Sequence, residues 1–143
     1  MSSRDWTEFQ SPPRSFEEVW RVVIDKGQVN GFKPEYSGPE ATDRGLRAYH
    51  SRWVTREYGA LRNATVRRRL HAEFEPSSNQ PGAWQVKLCV EREVVKDMIK
   101  KMNPTENDWS SDGQDKDTEN RIAIQIQMEL GVANVVTPRE RGK

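Results

Sequence analysis

Alternation of apolar and polar residues between Asn63 and Val94 constrains this chain more than any other feature. Val66, Leu70, Ala72 and Phe74 fall on alternate positions, while Arg67, Arg69, His71 and Glu73 take the other side. Trp84, Val86, Leu88 and Val90 then alternate with Gln85, Lys87, Cys89 and Glu91. A strand points successive side chains to opposite faces, so each run has one apolar and one polar face. The segment between them, Pro76-Ser77-Ser78-Asn79-Gln80-Pro81-Gly82, is almost wholly turn-forming, which predicts an antiparallel hairpin with a long loop. The apolar face of that hairpin needs a cover.

Ser15 to Gly27 supplies it. Ser15-Phe16-Glu17-Glu18 has the pattern of a capping box, and Phe16, Val19, Trp20, Val23 and Ile24 form one apolar stripe at helical spacing. Gly27 stands where a left-handed C-terminal cap is expected. Pro34, between Phe32 and Tyr36, confines any strand there to a sheet edge. Ser37-Gly38-Pro39 and Asp43-Arg44-Gly45 mark turns. Leu46 to Thr55 reads as a strand, with Tyr49 and Trp53 on one side and Leu46, Ala48 and Val54 on the other; Glu57-Tyr58-Gly59 is a turn or bulge. Val95 to Met102 fits a strand continuation or a helical turn, and Asn103 to Asp117 reads as a polar loop holding Trp109. Arg121 to Leu130 carries both periods; the acidic residues before it and Gly131 after it favour a helix.

These elements predict an α+β fold: an antiparallel sheet of three to five strands with one or two helices packed on one face. The organisation expected is a flexible N-terminal arm over residues 1–14, one domain over 15–131 and a mobile tail over 132–143. A chain of 143 residues has room for one real core, although 34% hydrophobic residues against 31% charged makes that core compact. Five tryptophans help, since bulky aromatics anchor a core with few residues.

Charge excludes one function class. Twenty-three basic and 22 acidic residues leave a net charge of +1, so the surface as a whole is no electrostatic trap for nucleic acid. The charge is nevertheless patterned, with Arg concentrated from Arg44 to Arg69 and acids from Thr105 to Glu119. Cys89 is the only cysteine, which excludes an intrachain disulfide. No stretch reaches the roughly 20 apolar residues of a membrane span, and the first residues lack the basic and apolar runs of a signal peptide.

Catalytic, metal and cofactor motifs are not found in the sequence. Asp112, Asp115, Asp117 and Glu119 resemble an oxygen-ligand calcium loop only superficially. Counted from Asp112, the sixth and twelfth positions are Asp117 and Ala123 rather than Gly and Glu. His50 and His71 have no cysteine or further histidine at ligand spacing, and no nucleophile is placed to use either as a base. Cys89, on a strand among apolar neighbours, is read as a buried thiol. Asn63-Ala64-Thr65 is a glycosylation sequon, relevant only in a eukaryotic secretory pathway. Arg67, Arg68 and Arg69, with Arg52, Arg56, Arg62 and Lys87, make a basic sheet surface that, beside Tyr49 and Trp53, suits single-stranded nucleic acid; Arg62, Arg67, Arg69 and Lys87 are its leading candidates. The competing reading pairs these arginines with Glu73, Glu91 and Glu93 across strands.

The chain is capped helix, aromatic edge at Phe32, strand to Trp53 and Arg-rich strand, followed by Gly82-Ala83-Trp84 opening a strand that ends Val90-Glu91-Arg92. With Trp109 and Gly113 in a loop and Asp115 to Gly131 last, this order resembles the soluble domain of small, uncharacterised bacterial envelope lipoproteins such as those of planctomycetes. That resemblance implies a helix-on-sheet domain facing the periplasm, without catalytic residues. The chain as written has no leader and no N-terminal cysteine for lipid. The expected location is therefore the envelope or periplasm if a leader was removed, and the cytoplasm otherwise. The function expected is a non-enzymatic, envelope-associated protein-interaction domain without cofactor. Its partner would be a protein, held by Trp6, Phe9 and Trp109 as anchors. The alternative is a nucleic-acid-binding module using Arg62, Arg67, Arg69 and Lys87.

Overall fold

A computed structural model describes residues 4–35, 40–41, 47–58, 64–95 and 109–132. In chain order the elements are β1 (Thr7–Gln10), α1 (Phe16–Val29), β2 (Glu40–Ala41), β3 (Arg47–His50), β4 (Val54–Tyr58), β5 (Ala64–Pro76), β6 (Trp84–Val95), β7 (Ser110–Gln114) and α2 (Lys116–Leu130). The fold is α+β, an open antiparallel sheet with both helices on one face. Among the described residues its seven strands make only five rows, because β3 and β4 lie end to end along β5 while β1 and β7 lie end to end along β6.

The predicted hairpin is the centre of the sheet: β5 and β6 pair from Thr65↔Val95 to Pro76↔Trp84. In the loop, the Ser77 hydroxyl accepts from the backbone N–H of Asn79 and Gln80, and Gly82 takes the left-handed conformation at φ 82°. Val66, Leu70, Ala72 and Phe74 of β5, with Val86, Leu88 and Val90 of β6, are buried on one face. Over them lie Phe16, Val19, Val22 and Val23 of α1 and Ile122, Ala123, Ile126 and Leu130 of α2, all buried. Ser15 caps α1, its hydroxyl accepting from Glu18 N–H, and Gly131 caps α2 in the left-handed region at φ 80°. α2 includes Arg121 to Leu130, so the helical period won over the alternating one.

Several expectations are corrected. The N-terminal arm is no free arm over Thr7 to Gln10: that segment is β1, paired to β6 from Thr7↔Leu88 to Gln10↔Gln85. Phe9 is 7% exposed in the core, which removes it from any docking surface. Gly27 does not cap α1; Asn30 does. A Cβ on Gly27 would stand 3.0 Å from Leu70 Cδ2, so the missing side chain is what lets the helix approach the sheet. Within the expected polar loop, Ser110 to Gln114 is a strand, held by the backbone pairing that β6 offers rather than by apolar side chains. Glu57 and Tyr58, expected in a turn or bulge, continue β4. The turns at Ser37–Pro39 and Asp43–Gly45, Lys96–Met102, Arg62 and the tail beyond Val132 lie outside the described residues. No helix among the described residues is long and apolar enough to cross a membrane.

The Leu46 to Thr55 strand divides in two. β3 runs in the register His50↔His71, but β4 resumes at Val54↔Arg68, so three residues oppose two on β5. This is a bulge of one residue, which reverses the alternation beyond it. Ser51 fixes it: its N–H donates to Leu70 O at 2.8 Å, and its hydroxyl accepts from Leu70 N–H at 3.0 Å. Tyr49 therefore faces the helices, whereas Trp53, expected beside it, stands on the opposite face against Arg67 and Arg69.

Candidate binding face

No described helix lies over the other face of the hairpin. Its side chains are the odd-numbered positions of the two long strands, and most of the charged ones are held in ion pairs or hydrogen bonds. Arg67 Nη2 meets Glu93 Oε1 at 2.6 Å, and its Nε donates to the same oxygen at 2.8 Å. Arg69 Nη2 meets Glu35 Oε2 at 2.5 Å while its Nε donates to Ser51 O at 2.8 Å. Lys87 Nζ lies 3.5 Å from Glu75. The expected pairing of arginines with acids across strands thus holds for Arg67 and Glu93. Arg69 instead reaches Glu35, which the sequence places 34 residues earlier.

Three tryptophans come to this face from separate parts of the chain. Arg67 is only 8% exposed, its guanidinium carbon 4.0 Å from the centre of the Trp53 ring and 4.4 Å from that of Trp109. A delocalised cation between two indole faces gains attraction from both quadrupoles while keeping its carboxylate partner. Trp53 and Trp109 remain half-buried. Trp6, also half-buried, lies under the Arg4 guanidinium at 5.6 Å.

Between Trp6 and the bulge lie the two histidines. His50 and His71 are direct cross-strand neighbours with ring centres 6.1 Å apart. His50 Nε2 is 2.8 Å from Glu35, and His71 Nε2 is 2.7 Å from Glu91. Burial lowers the His71 pKa despite that hydrogen bond, so the ring is neutral at pH 7; the bond from His71 in turn holds Glu91 below the usual carboxylate range. Among the described residues no three His, Cys, Asp or Glu side chains gather as a metal set. Cys89, on the same face, is buried, and burial pushes its thiol up to about 12, well away from nucleophile chemistry.

The acidic segment is a helix start, and it also contains a buried junction. Asp115 caps α2, accepting from Thr118 N–H at 3.1 Å and from Arg68 at 2.6 Å. Burial opposes its ionisation, but the Thr118 and Arg68 hydrogen bonds outweigh it and lower the pKa. Arg68 thus faces the helices and is no part of the basic face. Glu119 is fully buried at the break between β1 and β7. Its carboxylate accepts from Thr7 Oγ1 at 2.7 Å, Val90 N–H at 2.8 Å, Gln114 Nε2 at 2.8 Å and Lys116 Nζ at 3.1 Å. Lys116 also donates to the Asp5 carbonyl. Burial works against the Lys116 charge, yet Glu119 and Asp5 raise its pKa. A satisfied carboxylate at a strand junction is structural.

Trp6, Trp109, Arg67, Arg69 and Lys87, which belong to two separate expectations from the sequence, therefore share one face, while Phe9 leaves it and Arg62 lies outside the described residues. Trp53, Glu35, Arg4 and the paired histidines join them. A bulge of one residue and a partner 34 residues away in sequence leave no local signal. No protein-family model, no curated protein and no solved structure matches the chain.

Proposed function

We propose that this chain is a non-enzymatic protein-interaction domain that docks its partner on the helix-free face of the sheet. The Trp53–Arg67–Trp109 stack carries this reading. Tryptophan and arginine dominate binding hot spots, and a stack already ordered by ion pairing loses little further entropy on docking. The nucleic-acid alternative is weaker, because Arg67, Arg69 and Lys87 already hold carboxylates that a phosphate would have to displace. An envelope location belongs to the same proposal and rests on the resemblance to small envelope lipoproteins; fractionating cells that make the protein from its own reading frame tests it.

A photo-crosslinking side chain tests the face. Ser111 is exposed on β7 opposite Glu93, and Met128 is exposed on α2. A discrete protein adduct from position 111, absent from position 128 and lost with Trp53→Ala, is the expected result. Equal labelling from both positions, or adducts removed by nuclease, would refute it.

A further inference from the structure

On this face, Arg4, Trp6, His50, Arg69, His71 and Glu73 line a groove of about 300 Å³. Its charged groups are not held equally. Arg69 and His50 are fixed on Glu35 at 2.5 and 2.8 Å, and Glu73 has a partner of its own. Cys89, opposite His71 on β6, has its thiol pushed up to about 12 by burial and stays neutral wherever an imidazole titrates. Arg4 makes no hydrogen bond or ion pair among the described residues; its guanidinium lies 5.6 Å from the centre of the Trp6 ring. Its counter-charge is Glu91, whose ionised form it stabilises through space, while it works against a charge on His71. Glu91 and His71 are themselves joined at 2.7 Å. The main chain beside Arg4 is anchored: Asp5 N–H donates to Gln114 Oε1 at 2.9 Å, its carbonyl accepts from Gln114 Nε2 at 3.1 Å, and Lys116 lies 3.3 Å from its carboxylate. Side chains, rather than backbone, are therefore the movable parts of this end of the groove.

We infer that the groove is an acid-sensitive latch: when the His71 ring takes up a proton, Arg4 leaves the groove and uncovers the Trp6 indole. With the ring neutral, the His71–Glu91 pair carries one negative charge and attracts Arg4. A proton on the ring strengthens its hydrogen bond to Glu91, but it brings the pair to zero charge and sets a second cation against Arg4 and Arg69. Arg69 stays, because Glu35 and the Ser51 carbonyl hold it. Arg4 has no such bond, and an arginine side chain regains rotamer freedom on release. Glu91 is held below the usual carboxylate range, so it remains ionised while His71 titrates and the ring alone sets the window. Burial lowers the His71 pKa from 6.5, so the groove is closed at pH 7 and opens as the pH falls through a midpoint below 6.5. The latch belongs to the groove itself and does not depend on the interaction reading of the face.

The test uses the whole chain, labelled with nitrogen-15 and titrated by NMR from pH 7.5 to pH 5. The Trp6 indole N–H signal should move with the midpoint of the His71 ring's own titration, while the Thr7–Gln10 amides keep their positions in β1. Arg4→Gln, which costs only a stacking contact and leaves folding intact, should abolish that movement. It should also raise the His71 midpoint, because two charges that oppose each other do so reciprocally. Arg21→Gln is the control for net charge, since Arg21 is exposed on α1 beside Asp25, and it should leave the His71 midpoint where it was. A Trp6 midpoint different from that of His71, movement that persists in His71→Gln, or a His71 midpoint unchanged by Arg4→Gln would each overturn the inference. So would an equal rise in Arg21→Gln, which would mean that the ring senses overall charge rather than Arg4.

Discussion

The two faces of the β5–β6 hairpin are built from the same backbone and held by different physics. Toward the helices, Leu70, Phe74, Val86 and Leu88 are at most 1% exposed, and their burial is non-directional. On the other side, neighbouring positions hold Arg67, Arg69, His71, Glu91 and Glu93, whose contacts depend on distance and angle. The first face is strong and tolerant of shape-conserving change; the second is weaker but ordered, which suits a surface that meets something else.

Substitutions should separate these contributions. Glu119→Ala has the largest expected effect, about 3–5 kcal/mol by urea unfolding, since Val90 N–H, Thr7, Gln114 and Lys116 all lose their acceptor. A loss under 1 kcal/mol, by the scale of surface ion pairs, would mean that water replaces the carboxylate. Leu70→Ala follows at about 3 kcal/mol, because a fully buried side chain under Gly27 leaves a cavity. Arg67→Ala, on the open face, should cost only about 1–2 kcal/mol in the same assay while changing Trp53 and Trp109 fluorescence. Equal losses for Leu70→Ala and Arg67→Ala would erase the distinction between the faces.

The smallest effect is a pH dependence confined to the open face. The His71 pKa in the folded chain lies below its ordinary 6.5, so on acidification the unfolded chain takes up the proton first. His71's contribution is therefore full above about 6.5, declines below it, and levels off once the native ring protonates. Glu91, held below 4.5, loses its contribution only at lower pH. Urea midpoints should fall between pH 7.5 and 5.5, and His71→Gln should flatten that fall. A slope unchanged by the substitution would assign it to other groups.

Much of the fold was legible because its signals are local. Alternation over Val66–Phe74 and Trp84–Val90, the Ser15 cap and the Phe16–Ile24 stripe each depend on residues a few positions apart. β7 was not legible, because Ser110-Ser111-Asp112-Gly113-Gln114 has no strand pattern and takes its form from the edge of β6. Nor was the strand character of the first residues, where Thr7 and Phe9 form part of the core only once β6 offers Leu88 and Val86 as neighbours.

For the candidate face, the sequence by itself determined which side chains the two long strands send to the polar side: Arg67, Arg69, His71, Lys87, Glu91 and Glu93. Strand periodicity is a property of the backbone and needs no neighbour to operate. Only the tertiary structure decided what joins them. The bulge at Ser51 turned Trp53 over, β7 brought Trp109 across to Arg67, and pairing of β1 to β6 placed Arg4 and Trp6 beside His71. Each depends on hydrogen bonds between segments far apart in the chain, and no local pattern records which segments will meet.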